Sequence, residues 1–231
     1  LTVEKQFAIS VTDVNEAPSD IALSASSLAE NAGANAVVGT LSSTDVDAGN
    51  TFTYTLVSGT GDTDNAAFNV SAGQLRATAS LDFETRSTYS IRVRSTDQGG
   101  LTVEKQFAIS VTDVNEAPTA VALANTTTSL AENTSTSARI KVADIVVTDD
   151  ALGTEAITLT GADAASFEVD GLALYLKAGV TLNFEAKASY AVTANVADAA
   201  LSGSTPVTVG FTLSVTDVNE APTAVALANT T

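Results

Sequence analysis

The string SVTDVNEAP occurs three times, from Ser10 to Pro18, Ser110 to Pro118 and Ser214 to Pro222. The copying extends outwards: LTVEKQFAISVTDVNEAP runs from Leu1 and again, letter for letter, from Leu101, an offset of 100, while TAVALANTT follows both Pro118 and Pro222, an offset of 104. Such periods define the folding unit as a domain of about 100 residues, enough for one core. The 231 residues then divide into 1–17, the last strand and linker of a preceding repeat, two complete repeats at 18–117 and 118–221, and 222–231, the first strand of a following one. A chain that opens inside a repeat is expected to be a slice of a longer array.

Within each repeat the apolar residues alternate. Ile21 and Leu23, then Val37, Val38 and Leu41, Phe52, Tyr54 and Leu56, Phe68 and Val70, Leu75, Tyr89, Ile91 and Val93, and Val103, Phe107, Ile109 and Val111 make seven runs, separated by AGAN, DAGN, SGTGDTDN, SAGQ and DQGG turns. The second repeat follows the same plan from Leu123 to Val215. No stretch keeps a helical period. Seven short alternating strands per 100 residues predict an all-β fold of tandem Greek-key, immunoglobulin-like sandwiches in an elongated array. The joint Asn-Glu-Ala-Pro has no Gly, and Pro118 forces Ala117 into an extended form, so the connection reads as stiff.

Composition narrows the function. The net charge of −17, from 27 acidic and 10 basic residues, repels nucleic acid and anionic membranes and favours cations. There is no run of about 20 apolar residues to insert in a bilayer as a helix. With no Cys and no His, disulfides, thiolate metal sites and the commonest general base are all absent. Asp82 and Glu84, two apart on one strand, do not flank a substrate from opposite sides as glycosidase carboxylates do. No enzyme is expected.

The acids gather at turns and strand ends: Glu30 in LAEN, Asp45 and Asp47 in STDVDAGN, Asp82 and Glu84 in LDFE, Asp97 in STDQGG, and Asp113, Asn115 and Glu116 in the joint. Residues i and i+2 of an extended segment share a face, so Asp45 sits beside Asp47 and Asp82 beside Glu84. A hard divalent cation taking six to eight oxygens suits such groups. Any single loop acid is most often only a solvated one, but Glu30, Glu84 and Asp97 recur in order as Glu132, Glu185 and Asp198, together with the joint.

This ordered set, LAEN, DxD before Gly-Asn, LDxE, YxIxVxxxD and DxNExP, resembles the cadherin repeat in the form seen in very large bacterial surface and secreted proteins. The resemblance implies Ca2+ at each junction. For the complete junction it implies Glu30, Asp82 and Glu84 from the first repeat, Asp113, Asn115 and Glu116 from the joint, and Asp149 and Asp198 from the second. Asn15, Glu16, Asp45, Asp47 and Asp97 would form part of a preceding junction, and Glu132, Glu185, Asn219 and Glu220 part of a following one. The chain also departs from the family pattern. Glu116 and Ala117 stand where the family has Asp and Asn, Asn183 replaces an acid, and Ala151 replaces the second Asp of DxD. Asp150, on the opposite side of an extended strand, is not expected to substitute for it, so fewer or weaker ions are expected.

Two roles follow from the resemblance. One is a calcium-stiffened spacer in an extracellular adhesin stalk, biofilm matrix fibre or surface filament, with neighbouring repeats as its partners. The other is recognition of polysaccharide or of a second copy. Sugar binding wants an exposed aromatic, and the chain has no Trp; Tyr54, Tyr89 and Tyr190 fall on the buried alternation, which leaves Tyr175 as the one ring expected to face outwards.

Overall fold

The structure, a computed structural model describing residues 1–221, comprises two units, Leu1–Val114 and a second that begins at Asn115. The first holds eight strands: β1 Asp20–Leu23, β2 Ser27–Ala29, β3 Val37–Thr44, β4 Thr53–Leu56, β5 Phe68–Ser71, β6 Gln74–Ala77, β7 Thr88–Thr96 and β8 Thr102–Thr112. They form two sheets, β1-β3-β6-β5 and β2-β8-β7-β4, antiparallel except where β2 runs parallel to β8. Alternation decides which side chains point inwards. On β7, Ile91, Val93 and Ser95 are buried while Arg92 and Arg94 face out. Ser95 is satisfied by the Ser43 hydroxyl at 2.7 Å, across the sandwich. Ile21, Leu75 and Ile109 complete the core, and Phe68 meets the Tyr89 ring edge-on at 5.6 Å.

The second unit repeats the plan with β9 Ala120–Ala124, β10 Ser129–Ala131, β11 Ile140–Thr148, β12 Glu155–Thr160, β13 Phe167–Asp170, β14 Ala173–Leu176, β15 Ser189–Asp198 and β16 Val207–Thr216. Its sheets are β13-β14-β11-β9 and β10-β16-β15-β12. Phe167 and Phe211 pack edge-on at 6.0 Å over Val142, Leu174, Val196 and Leu213. A short 3-10 turn before β5 and before β13 presents an acid in each unit. Asp64 accepts from Arg86 and from the Ser90 N–H, and Asp163 from Lys187 and the Ala191 N–H. Among the described residues no helix is long and apolar enough to cross a membrane.

The all-β sandwich is as predicted, with one strand more per unit than the seven runs. Ser27–Ala29 and Ser129–Ala131 cross from the first sheet to the second. Each carries a single Leu, too little to register as alternation.

A second difference concerns residues 1–17, expected to contain a strand. They carry none and are exposed, with Phe7 at 74%, Ile9 at 90% and Val11 at 93%. The same letters at 101–112 form β8, where Ile109 and Val111 are buried. The difference is partnership: β8 is paired on both sides, with β7 and β2, and a lone strand has no outlet for its hydrogen bonds. The strand expected over 222–231 lies outside the described residues.

β3 passes close to Ala25 at Gly39, where the pairing with β6 shifts register. A Cβ there would sit 2.6 Å from the Ala25 carbonyl oxygen and 2.9 Å from its nitrogen. Gly39→Ala is expected to lower the first unit's unfolding free energy by about 1–3 kcal/mol in urea titrations, with no shift in the second unit's transition.

Candidate cation sites

Each unit has an acid held by backbone amides where its last strand ends. Glu30, just beyond β2, is only 3% exposed. Its carboxylate accepts from the Phe83 N–H at 2.8 Å and the Val114 N–H at 2.7 Å. Asp82 and Glu84 flank Phe83, so this clamp brings carboxylate oxygens of Glu30, Asp82 and Glu84 within 4.8 Å of one another. Asp82 also accepts from Thr85 N–H at 2.7 Å, forming the turn. In the second unit Glu132 accepts from Phe184 N–H at 2.9 Å and Val218 N–H at 2.7 Å, and Glu132, Glu185, Asp217 and Glu220 gather within the same 4.8 Å. Asn183 makes the turn bond that Asp82 makes, to Ala186 N–H at 2.7 Å, but brings no charge. The Phe184 and Val218 amides hold the Glu132 carboxyl below its ordinary pKa, while loss of solvent and then the Glu132 charge push Glu220 up. Asn219 is exposed.

At the opposite end of the first unit, Asn15 donates its amide to Asp97 at 3.0 Å, and the Glu16 N–H reaches Asp47 at 2.9 Å. Asp45 Oδ1 accepts from the Asp47 N–H at 3.1 Å; its Oδ2 is buried and has no hydrogen-bond partner. Oxygens of Asp13, Glu16 and Asp47 lie within 4.8 Å. Burial raises the pKa of Asp97, but the Asn15 amide and the N–H groups of Leu101, Gly99 and Gly100 outweigh it and bring the value down. Glu16 is raised, first by its hydrogen bond with Asp47, then by loss of solvent and the neighbouring negative charges.

The second unit repeats the pair as Asn115 Nδ2 to Asp198 at 2.5 Å, but the Glu116 N–H goes to Asp150 Oδ2, at 2.7 Å. Asp149 keeps both carboxylate oxygens buried without a hydrogen-bond partner, as is Asn115 Oδ1. Burial raises the Asp149 pKa first; the nearby Asp150 N–H, out of bonding geometry, offsets part of this, and the charges of Asp150, Glu155 and Asp198 add to the rise. Asp198, fed by the Ala200 N–H at 2.7 Å, is lowered in spite of its burial.

Of the expected acids, Glu30, Asp82 and Glu84 gather in one group, Glu16 and Asp47 join Asp13 in a second, and Glu132, Glu185 and Glu220 join Asp217 in a third. Asp45, Asp97, Asp149 and Asp198 lie outside these groups, and Asp13, Asp217 and Asp150 are additions to the expected set. Asp13 and Asp217 are copies of Asp113, so the repeat itself could have pointed to them. Asp150 would be turned away by an extended chain, but the backbone is not extended at Ala151, φ 69°, and the Glu116 N–H reaches it. The donors are all oxygens, and buried oxygens without hydrogen bonds are unfavourable unless a cation faces them. These residues fit a hard divalent ion such as calcium. Tyr175 is no open platform: the Arg139 guanidinium lies 4.2 Å from its ring centroid and is held there by Asp170 at 2.6 Å.

Residues 24–112 match the family model of the cadherin domain. Protocadherin Fat 2 of Rattus norvegicus is 34% identical over 149 residues, 62% of this chain and 3% of that protein. The extracellular cadherin domains 1–4 of protocadherin gamma B7 superpose with a TM-score of 0.64 at 23% identity, covering 84% of this chain and 49% of that one. The human desmocollin-1 ectodomain gives 0.60 at 20% identity, covering 84% and 40%. This is the cadherin fold. Cadherin-type sandwiches thus account for both units, and the chain spans only a small part of the Fat 2 relative.

Two outcomes follow. Glu30→Ala removes the acceptor of the part-buried Phe83 and Val114 N–H groups, and the first unit should lose about 1–2 kcal/mol, measured by urea unfolding in chelator, where no metal contributes. For Asp149, a carboxyl raised in the folded state binds protons more readily than in the unfolded one. The Asp149 contribution to stability in chelator should therefore rise as pH falls from its raised value towards the ordinary 3.8, against the opposite contribution of the lowered Glu132 and Asp198. Asp149→Asn should flatten that slope and raise the melting temperature in chelator at pH 7, yet give a smaller gain when calcium is added.

Proposed function

We propose that this chain is a pair of calcium-binding cadherin-type repeats from a long extracellular surface protein, serving as a spacer that calcium stiffens. The observation that carries the reading is the buried, hydrogen-bond-free carboxylate of Asp149 beside Asn115 and Asp198. A bound calcium would supply the positive charge that these oxygens and the clusters around Glu30, Glu16 and Glu132 lack. The protein's own part is to aim the oxygens: Glu30 and Glu132 by paired backbone amides, Asp97 and Asp198 by the side chains of Asn15 and Asn115.

The joint is supported by its own bonds. Val114 is tied to Glu30 in the first unit, while Asn115 and Glu116 are tied to Asp198 and Asp150 in the second. A cation that binds only the ordered form stabilises it by mass action, about 2.7 kcal/mol at a hundred times Kd. The letter-identical copies favour a length-giving role in a repetitive array, of the kind expected in bacterial adhesin stalks, biofilm fibres or filaments, with successive repeats as partners. Polysaccharide recognition finds no such support, since Arg139 covers the Tyr175 ring.

Small-angle scattering and thermal melts with calcium and with chelator test this reading. A larger maximum dimension and a higher melting temperature in calcium are expected; identical curves and identical melts would remove calcium, and the stiff spacer with it.

A further inference from the structure

We propose that the Asp170–Gly171 bond is a site of spontaneous aspartyl isomerisation in the second unit, and that Arg139 restrains the reaction. This goes beyond the calcium reading and does not depend on it.

No other glycine in the sequence follows an Asp or an Asn. Asp170 is the last residue of β13, an edge strand, and Gly171 with Leu172 makes the two-residue loop to β14, the hairpin closing at Asp170 opposite Ala173. Gly171 takes a left-handed φ of 56°, and the space where a side chain would stand holds nothing within 4 Å. Its nitrogen therefore has no side chain beside it to hinder a neighbouring carboxyl group. The Asp170 side chain is 61% exposed. In the first unit Ser71 precedes the matching turn, so the reacting acid is missing there.

The chemistry needs only water. The Gly171 nitrogen attacks Cγ of the protonated Asp170 carboxyl group and gives up its proton as the carboxyl hydroxyl departs, so a water is lost and a succinimide ring closes. Water then adds at either ring carbonyl. Cleavage of the N–Cγ bond restores Asp170. Cleavage of the bond between that nitrogen and the Asp170 main-chain carbonyl carbon leaves isoaspartate, with the main chain running through the former side chain and longer by a CH2 group.

Arg139 opposes the first step. Its guanidinium binds Asp170 Oδ2 at 2.6 Å and Glu168 Oε1 at 3.3 Å, and lies 4.2 Å from the Tyr175 ring centroid. Glu168 and Tyr175 are cross-strand neighbours, and Asp170 follows Glu168 by two residues, so side chains on one sheet face fix the cation. Asp170 must release the guanidinium and leave its extended conformation before the carboxyl group can turn onto the Gly171 nitrogen, which requires the hairpin end to open locally. Isomerisation would lengthen the loop, disturb the Asp170–Ala173 pairing and loosen the guanidinium that covers Tyr175.

The test incubates the full chain at neutral pH in heavy-oxygen water and maps its peptides by mass spectrometry, since each ring opening leaves a heavy oxygen in the Asp170 peptide and chromatography separates the isoaspartyl form. A synthetic peptide, EVDGLAL, supplies the unrestrained rate. The wild-type chain should form isoaspartate more slowly than the peptide. Arg139→Ala should speed it by about 2–5-fold, the range expected for losing exposed ion pairs, with the second unit's urea transition unchanged. Arg139→Lys, which keeps the cation, should stay near wild type, and Asp170→Glu, which would close a larger ring, should form no isomer. A wild-type chain as fast as the peptide, or Arg139→Ala no faster than wild type, overturns the restraint, as does a faster rate matched by an earlier urea transition, which would mean general loosening. Arg139→Lys as fast as Arg139→Ala overturns the ion pair as the cause. Absence of isoaspartate from Arg139→Ala while the peptide reacts overturns the site itself.

Discussion

Backbone amides aimed at one carboxylate, buried at Glu30 and half-buried at Glu132, are the interaction on which both units rest. Glu30 and Glu132 each take two N–H groups from segments far away in sequence, the LDFE or LNFE turn and the end of the last strand. In the second unit the two amides hold the Glu132 carboxyl below its ordinary pKa. These bonds also tie β2 and β10, the shortest strands, to the start of each joint. The neighbouring acids are then brought close enough to repel, so a folding contact gathers negative charge at the end of each unit.

The repeated text shows what local sequence can decide. LTVEKQFAISVT is a strand at 102–112 and not at 1–12. Propensity and alternation are identical in the two copies, so the difference lies wholly in whether β7 and β2 stand on either side. The sandwich, its sheet-facing residues and the clusters at the strand ends were legible because alternation and turn chemistry act locally. Ser27–Ala29 was not, because one Leu carries no period and its parallel pairing with β8 spans 83 residues, as Ser27 opposite Ser110 shows.

The carboxylates were legible as residues at turns and strand ends, and Glu30 does lie with Asp82 and Glu84, and Glu132 with Glu185 and Glu220. Asp150 was missed because a two-residue period was extended past the point where the strand stops. The backbone beyond Thr148 is no longer extended, and a single left-handed residue at Ala151 changes which acid receives the joint amide. Gly153 stands four residues after Asp149 as Gly49 does after Asp45, but its closeness to Asp198, 45 positions away, where an added Cβ would come within 2.2 Å of Oδ2, depends on the folded loop.

The most direct test of a cation-holding end is calorimetric titration of calcium into the chelator-stripped chain, with magnesium as the control. Oxygen clusters built for a larger, many-coordinate ion predict saturable binding of calcium and a markedly weaker response to magnesium. A linear heat of dilution for calcium, or equal heats for both ions that vanish at physiological salt, would show that these acids are merely solvated charge and contradict the account.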